Sequence, residues 1–190
     1  MLVSFILLGV LLVVFLYAVL LYNGLVQLKH NVAQAWSNID VLLKQRHEEL
    51  PKLIETCKQY MKHEREVLEK VTQARAAVGN ARERGDIEAV GRAETAMRVG
   101  LASLFAVVEN YPQLKANQTF QHLYTRISQL ESQIADRREF YNDSVNANNV
   151  RIEQFPDVLV ARAFNFGPRP LLTFSEAELK DVDVRQLFAS

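Results

Sequence analysis

Histidines followed by glutamates are the closest approach to a catalytic pattern in this chain. His47-Glu48 and His63-Glu64 each match the first half of His-Glu-x-x-His, where two histidines one helical turn apart bind zinc. The second histidine is missing from both, because a proline and a valine occupy the required positions. The sequence therefore predicts neither a metal site nor a metal cofactor.

Other reactive groups also lack a catalytic setting. There is no glycine-rich phosphate loop, no Gly-x-Ser-x-Gly and no cysteine–histidine pair, and Glu48-Glu49 falls on a solvated helix face. The single cysteine, Cys57, excludes an internal disulfide and lies on an apolar stripe, so we expect a core thiol. We expect no enzymatic activity and no cofactor.

Arg46 is a charge at a position where an apolar residue is expected. In "AWSNIDVLLKQRHEELPKLIE", residues 35–55, it falls on the apolar seam of a helix. An unpaired buried charge costs several kcal/mol, so Arg46 either snorkels to a wet edge or joins an ionic network between helices. Further seam charges are Glu64, Glu94 and Arg137, and the carboxylates beside the seams, Glu109 and Glu131, are the candidate partners of Arg46. The candidate network is Arg46, Glu64, Glu109, Glu131 and Arg137.

Pro51 lies inside the same helical pattern. An interior proline removes the donor for the carbonyl of His47 and costs ~3 kcal/mol. The apolar spacing nevertheless continues in phase across Pro51, which favours a kinked but continuous helix. A reversal of the chain near Pro51 is the alternative.

Apolar spacing predicts an all-α fold with three long helices. The first covers 25–78 and ends at the turn "VGNARERGD". The second covers 87–111, between a cap at Asp86 and Pro112. The third covers 119–152, with Asn117 or Thr119 as its cap. We expect an antiparallel up-and-down helical bundle.

The two ends of the chain differ from this bundle. Residues 156–190 predict a short helix and an extended tail, with a possible capping box of Ser175 and Glu178. The predicted domains are an anchor at 1–24, the bundle at 25–155 and the C-terminal segment at 156–190.

The first 28 residues carry no charged side chain. About 20 apolar residues span the hydrocarbon core, and residues 2–22 supply them, with Tyr17 and Tyr22 near the far interface. The apolar run is too long for a signal peptide and lacks a basic segment before it. We therefore expect an uncleaved transmembrane helix.

Charge indicates the orientation and excludes one class of partner. The 22 basic and 22 acidic residues balance, which does not favour nucleic acid binding. Lys29 follows the span and no basic residue precedes it, so the positive-inside rule favours an outer N-terminus and a cytosolic body.

Helix lengths leave part of the first helix without cover. Residues 25–78 would extend roughly 80 Å at ~1.5 Å per residue, and the other helices are too short to cover it all. Either the C-terminal segment or another subunit must cover its lower stripe, and a second subunit is the simplest cover. The interface candidates are Val32, Trp36, Ile39, Leu43, Phe155, Phe164, Phe166 and Phe188.

Two long stretches resemble the LemA family of bacterial membrane proteins. They are "YNGLVQLKHNVAQAWSNIDVLLKQRHEELPKLIETCKQYMKHEREVLEKVTQAR" and "ENYPQLKANQTFQHLYTRISQLESQIADRREFYNDSVNANNVRIEQFP". Arg46 and Pro51 belong to that family pattern. The resemblance implies one N-terminal anchor in the bacterial inner membrane and a bundle of four helices, counting either a short helix after Pro156 or a split at Pro51.

Two functions are compatible with these features. The family has no established enzymatic activity, and its relatives are tied to membrane remodelling, including magnetosome vesicle formation, and to envelope stress near a membrane metalloprotease. The first interpretation is a membrane-anchored scaffold that self-associates, with the lipid bilayer and further copies of itself as partners. The alternative is an adaptor or regulator of a membrane protease or another inner-membrane protein.

Overall fold

A computed structural model describes residues 2–174, and over this range the chain is helical without strands. The helices are α1 Leu2–Lys58, α2 Arg65–Glu83, α3 Ile87–Val108, α4 Pro112–Lys115, α5 Gln118–Glu153 and α6 Asp157–Ala163. The predicted all-α class is confirmed. The expected capping box of Ser175 and Glu178, the extended tail and Phe188 lie outside the described residues.

Helix α1 passes through Pro51 without a break. The prediction of a continuous helix is confirmed, and the alternative of a reversal at Pro51 is wrong. The carbonyl of His47, which lacks the donor that Pro51 cannot supply, accepts a 2.9 Å hydrogen bond from Arg75 Nε of α2.

The prediction that the first helix extends to residue 78 is wrong, because α1 ends at Lys58 and α2 begins at Arg65. Side chains from the α3–α5 connection hold the intervening turn. Asn117 Nδ2 donates to the Tyr60 hydroxyl over 3.1 Å, and the Tyr111 hydroxyl donates to Glu64 over 3.3 Å. A turn without glycine is thus fixed by long-range hydrogen bonds.

Helix caps follow the sequence closely. The Asp86 side chain accepts from the Ala89 amide at the start of α3. Asn117 Oδ1 accepts from the Phe120 amide over 3.0 Å at the start of α5, which selects Asn117 over Thr119 as the cap. Helix α3 ends at Val108, and Pro112 begins the short α4 where a connection was expected.

The chain divides into two compact units, and both long helices contribute to each. Within the described range, the first unit contains residues 2–38 and 137–171, and the second contains residues 39–136 and 172–174. Helix α1 continues across 24/25 without interruption, as expected of an anchor that extends into the bundle. The predicted domain boundaries at 24/25 and 155/156 stay a prediction.

The second unit is an antiparallel four-helix bundle of α1, α2, α3 and α5. Arg75 bonds to His47 while Arg82 Nε lies 3.3 Å from Asp40 Oδ1, so later residues of α2 meet earlier residues of α1. Its core contains Leu53, Val71, Met97, Leu104 and Ile127, which are completely buried. Cys57 belongs to this core as predicted, and burial raises the pKa of its thiol to about 12.

The first unit packs the early part of α1 against the late part of α5 and α6. Trp36 and Tyr141 meet edge to face with ring centroids 5.7 Å apart. Leu25 packs with Ile152 of α5 and Ala161 of α6. Earlier residues of α1 therefore meet later residues of α5, so the two helices run antiparallel in this unit.

Residues of the same chain cover the lower apolar stripe of α1, which consists of Val32, Trp36, Ile39 and Leu43. Val32, Ile39 and Leu43 are 5%, 0% and 1% exposed, and Trp36 is partly buried against Tyr141. The expectation of an uncovered stripe is wrong, because the chain reverses at 59–64 and α5 runs back along α1. Val32, Ile39 and Leu43 are therefore covered within the chain, whereas Trp36 keeps part of its surface exposed.

Within the described residues, α1 is the one helix long and apolar enough to cross a membrane. Its large apolar side chains from Leu2 to Leu20 are exposed to the surroundings. A helix with such a surface requires an apolar solvent, so the protein is membrane-associated.

Candidate functional site

A buried ionic cluster occupies the centre of the second unit. Arg46 of α1 forms ion pairs with Glu94 of α3 and with Glu131 of α5, using a separate guanidinium nitrogen for each. Arg46 and Glu94 are both 1% exposed. The heptad position of Arg46 aims it inward, and the two facing helices each supply a carboxylate.

A second arginine extends this cluster towards the surface. Glu131 is 21% exposed, and its other oxygen, Oε2, lies 3.9 Å from Arg98 Nε. Two arginines and two glutamates therefore balance each other's charge. The Glu94 oxygen Oε2 is buried and has no hydrogen-bond partner in the described part of the chain.

Burial and pairing act in opposite directions on these groups. Burial opposes the charge on Arg46, but the two carboxylates outweigh it and raise the pKa of the guanidinium. At Glu94 burial is the larger effect and raises the pKa of the carboxyl, although Arg46 acts the other way. Burial therefore outweighs pairing at Glu94, whereas pairing outweighs burial at Arg46.

The chain segment that follows the first unit reaches the same face of α3. Gly91, Glu94 and Arg98 share this face, being three, four and seven residues apart. A Cβ at position 91 would lie 2.3 Å from the Thr173 carbonyl oxygen, so only glycine permits this approach. Arg98 Cζ lies 5.6 Å from the centre of the Phe174 ring.

The other charged candidates lie elsewhere. Glu64 accepts the Tyr111 hydroxyl at the α1–α2 turn, and Glu109 pairs with Lys115 on the surface. Arg137 belongs to the first unit, where it lines a groove with Phe140. Of the two candidate partners, Glu131 therefore contacts Arg46 and Glu109 does not.

Glu94 and Arg98 were absent from the candidate network, although a signal for Glu94 was present. Glu94 is a carboxylate on the apolar seam of its helix. Such a residue needs a buried cation for the same reason that Arg46 needs a carboxylate. Matching the two seam charges by sign would have identified the pair.

This cluster is suited to holding helices in register rather than to catalysis. With both side chains 1% exposed, Arg46 and Glu94 present no surface to a substrate. Within the described residues no group of three or more metal-binding side chains is present. The arrangement fixes the relative positions of three helices.

Apolar side chains around α6 form a second candidate region, in the first unit. Phe155, Leu159 and Phe164 are 79%, 60% and 60% exposed. Phe166 is partly buried instead, and its ring lies 5.7 Å from that of Tyr22. Of the aromatic interface candidates in the described range, Phe155 and Phe164 are therefore the accessible ones.

Comparison with known proteins identifies the family. The sequence model of the LemA family matches residues 35–185, which is most of the chain. This chain belongs to the LemA family.

Individual relatives agree with this assignment. Protein LemA of Metamycoplasma hominis is 28% identical over 167 residues, covering 87% of this chain and 74% of that protein. Magnetosome protein MamQ 2 of Paramagnetospirillum magneticum is 39% identical over 56 residues, covering 30% of this chain. Magnetosome protein MamQ of Magnetospirillum gryphiswaldense is 38% identical over 56 residues. The similarity spans about a fifth (21%) of each magnetosome protein.

The LemA assignment fits the ionic cluster and the proline helix. The family match begins at Ala35 and so includes Arg46, Pro51, Glu94 and Glu131. Neither the family name nor the names of these relatives denotes an enzyme.

Proposed function

We propose that this LemA-family protein is a non-enzymatic scaffold that is anchored in the bacterial inner membrane and self-associates into a multi-subunit assembly. The observation that carries this proposal is the exposure of Phe155, Leu159 and Phe164 at 79%, 60% and 60%. Large apolar residues exposed this close together in sequence mark surfaces that bind a partner.

The orientation of α6 holds Leu159 outward. Ala161 and Asp157 on the other side of the helix are buried, and Asp157 Oδ1 accepts a 2.6 Å hydrogen bond from Arg151 Nε of α5. Rotation of α6 to hide Leu159 would break this ion pair. Burial of each large side chain in an interface contributes about 1.5–3 kcal/mol.

A groove on the second unit is a suitable receptor on a neighbouring copy. It has a volume of about 700 Å³ and lies between α2 and α3. Its lining includes Ala74, Ala77, Ala96, Val99 and Gly100, whose small side chains leave room for bulky ones. A contact between two different surfaces of the same chain repeats either as a ring or as an open spiral.

Size measurement on the full-length protein tests the assembly. In mild detergent at micromolar concentration we expect sedimentation as a multi-subunit particle, and cross-linked oligomers in native membranes. Phe155→Ser/Leu159→Ser should reduce the particle size. The control Val41→Ser/Val150→Ser removes two apolar residues that are 52% and 45% exposed and should leave the size unchanged.

A monomer in both detergent and native membranes would contradict self-association. An adaptor or regulator of a membrane protease or envelope-stress system would then be the better interpretation. For orientation we expect a reporter that works in the cytosol to be active when it is fused after Ser190, and activity of a periplasmic reporter alone would reverse the assignment.

A further inference from the structure

A cationic cavity lies in the first unit, next to the end of the apolar stretch of α1. Its volume is about 320 Å³. The residues lining it are Tyr22, Val26, Lys29, His30, Asn148, Phe164, Asn165, Phe166, Gly167 and Arg169. None of them is acidic, whereas Lys29 and Arg169 carry positive charge. We propose that this cavity binds the phosphate group of an anionic membrane phospholipid.

The position along α1 matches the depth of lipid headgroups. Tyr22 ends the apolar stretch, as tyrosine does at the membrane interface. Val26 and Lys29 follow on the same helix face, and Lys29 is about 10 Å beyond Tyr22 along the axis. The polar headgroup layer is about 5–8 Å thick on each side, and a lysine side chain can reach back into it.

The second cation is brought to the cavity by the turn after α6. Asn165 has a φ of 56°, in the left-handed region that asparagine tolerates. The Phe166 amide donates to the Ala161 carbonyl over 2.9 Å, which closes the helix as a Schellman motif does. The Phe164 ring packs edge-on against Tyr22, with centroids 4.8 Å apart. The turn therefore directs the chain beyond α6 across the face of α1.

Helix α5 fixes the backbone of Arg169. Asn149 Oδ1 accepts a 2.8 Å hydrogen bond from the Arg169 amide, and Asn149 Nδ2 donates to the Arg169 carbonyl over 2.9 Å. The Tyr141 hydroxyl donates to the next carbonyl, that of Pro170, over 2.9 Å. A guanidinium on such a held backbone is well placed to bind a phosphate, which it matches with two parallel hydrogen bonds.

Charge and shape together favour a lipid over a protein partner. Between residues 2 and 174, neither Lys29 nor Arg169 forms an ion pair, so an anion would complete their charge balance. The Phe164 and Phe166 rings supply an apolar wall beside these charges. The two cations of the cavity match the phosphate of one lipid headgroup. The apolar wall matches the upper part of that lipid's acyl chains. The inference does not depend on self-association, because a single chain contains the whole cavity.

Native mass spectrometry of the full-length protein in mild detergent tests this site. The protein is offered phosphatidylglycerol and phosphatidylcholine with identical acyl chains. We expect wild type to retain phosphatidylglycerol preferentially, and Lys29→Gln/Arg169→Gln to bind it about tenfold more weakly. The control Lys44→Gln/Arg162→Gln removes two basic side chains that do not line the cavity and should keep the preference.

Three results would overturn the proposal. The first is equal retention of the two lipids by wild type. The second is an equal loss in the control variant, which would show attraction by net charge alone. The third is displacement of phosphatidylglycerol by low-millimolar inorganic phosphate, which would identify free phosphate as the ligand instead.

Discussion

Arg75 Nε of α2 donates a 2.9 Å hydrogen bond to the backbone carbonyl of His47 in α1. In an uninterrupted helix that carbonyl would accept from residue 51, where this chain has proline and therefore no N–H. The arginine of a neighbouring helix thus replaces a missing bond within α1. The helix stays continuous through Pro51, and its broken hydrogen bond becomes a connection between two helices.

Removal of this donor should have a cost that depends on Pro51. We expect Arg75→Met to lower the free energy of unfolding by about 1–3 kcal/mol, because the His47 carbonyl loses a charged donor. In the Pro51→Ala background, the introduced alanine has an N–H that restores the bond within the helix, so the same substitution should cost roughly half as much or less. Chemical unfolding of the four proteins, followed by circular dichroism in mild detergent, measures this coupling.

Lys70→Met serves as the control for this cycle, since it removes an exposed charge from the same helix and should change stability by under ~0.5 kcal/mol. Equal losses for Arg75→Met in both backgrounds would show that Arg75 acts independently of Pro51.

The sequence predicted this long helix well but not its end. The spacing that carries Arg46 and Pro51 also includes Tyr60 and Glu64, and a seam pattern alone gives no reason to stop there. Both residues are used at the turn instead, through hydrogen bonds to Asn117 and Tyr111 that lie far away in sequence. A boundary fixed by such tertiary contacts has no local signal of glycine or asparagine.

That missed boundary also explains why the stripe was expected to lack cover within the chain. A first helix ending at residue 78 leaves Ile39 without a partner, whereas a turn at 59–64 returns α2 along α1 and Ile39 is fully buried. For the candidate ionic network, by contrast, the sequence named a residue that does contact Arg46. The need of Arg46 for a carboxylate follows from solvation alone, and it led to Glu131, while the choice among several carboxylates depends on helix register.

Apolar replacement of the buried pair should be less damaging than breaking it. Arg46→Met leaves the Glu94 carboxylate buried without its cation, so we expect a loss of about 3–5 kcal/mol. Arg46→Met/Glu94→Met removes both charges, and it should be more stable than either single variant. The comparison pair Glu49→Met/Lys52→Met is solvent-accessible and should change stability by under ~1 kcal/mol. Additive losses at positions 46 and 94 would contradict the coupling.

Glu94 should also make stability depend on pH in a defined direction. Burial raises its pKa in the folded state above the ordinary value of 4.5, so the folded protein holds this proton more tightly than the unfolded chain. The contribution of Glu94 is therefore most favourable below pH 4.5 and falls as the pH rises through the folded-state pKa. Glutamine does not titrate. We expect the stability of wild type minus that of Glu94→Gln to decline as the pH rises through this window.

Glu66→Gln provides a comparison of opposite sign. The hydrogen bond from Lys70 and its charge lower the pKa of Glu66, so its contribution is lost as the pH falls. Unfolding curves between pH 4 and pH 8 would show both trends. A difference between wild type and Glu94→Gln that rises with pH would contradict the assignment for Glu94.

Two glycines of α3 should respond oppositely to the addition of one methyl group. A Cβ at Gly91 would lie 2.3 Å from the Thr173 carbonyl oxygen, which is backbone and cannot move without displacing residues 172–174. We expect Gly91→Ala to destabilise the protein by about 1–3 kcal/mol, as overpacking does. A Cβ at Gly100 would lie 3.4 Å from Val71 Cγ2, an ordinary contact, so Gly100→Ala should gain about 0.5–1 kcal/mol from its better helix propensity.

Protease sensitivity after residue 167 distinguishes the cause. The displaced segment should be cut faster in Gly91→Ala than in wild type, and at the wild-type rate in Gly100→Ala. Equal stability of the two variants would mean that the approach of Thr173 to α3 does not depend on glycine.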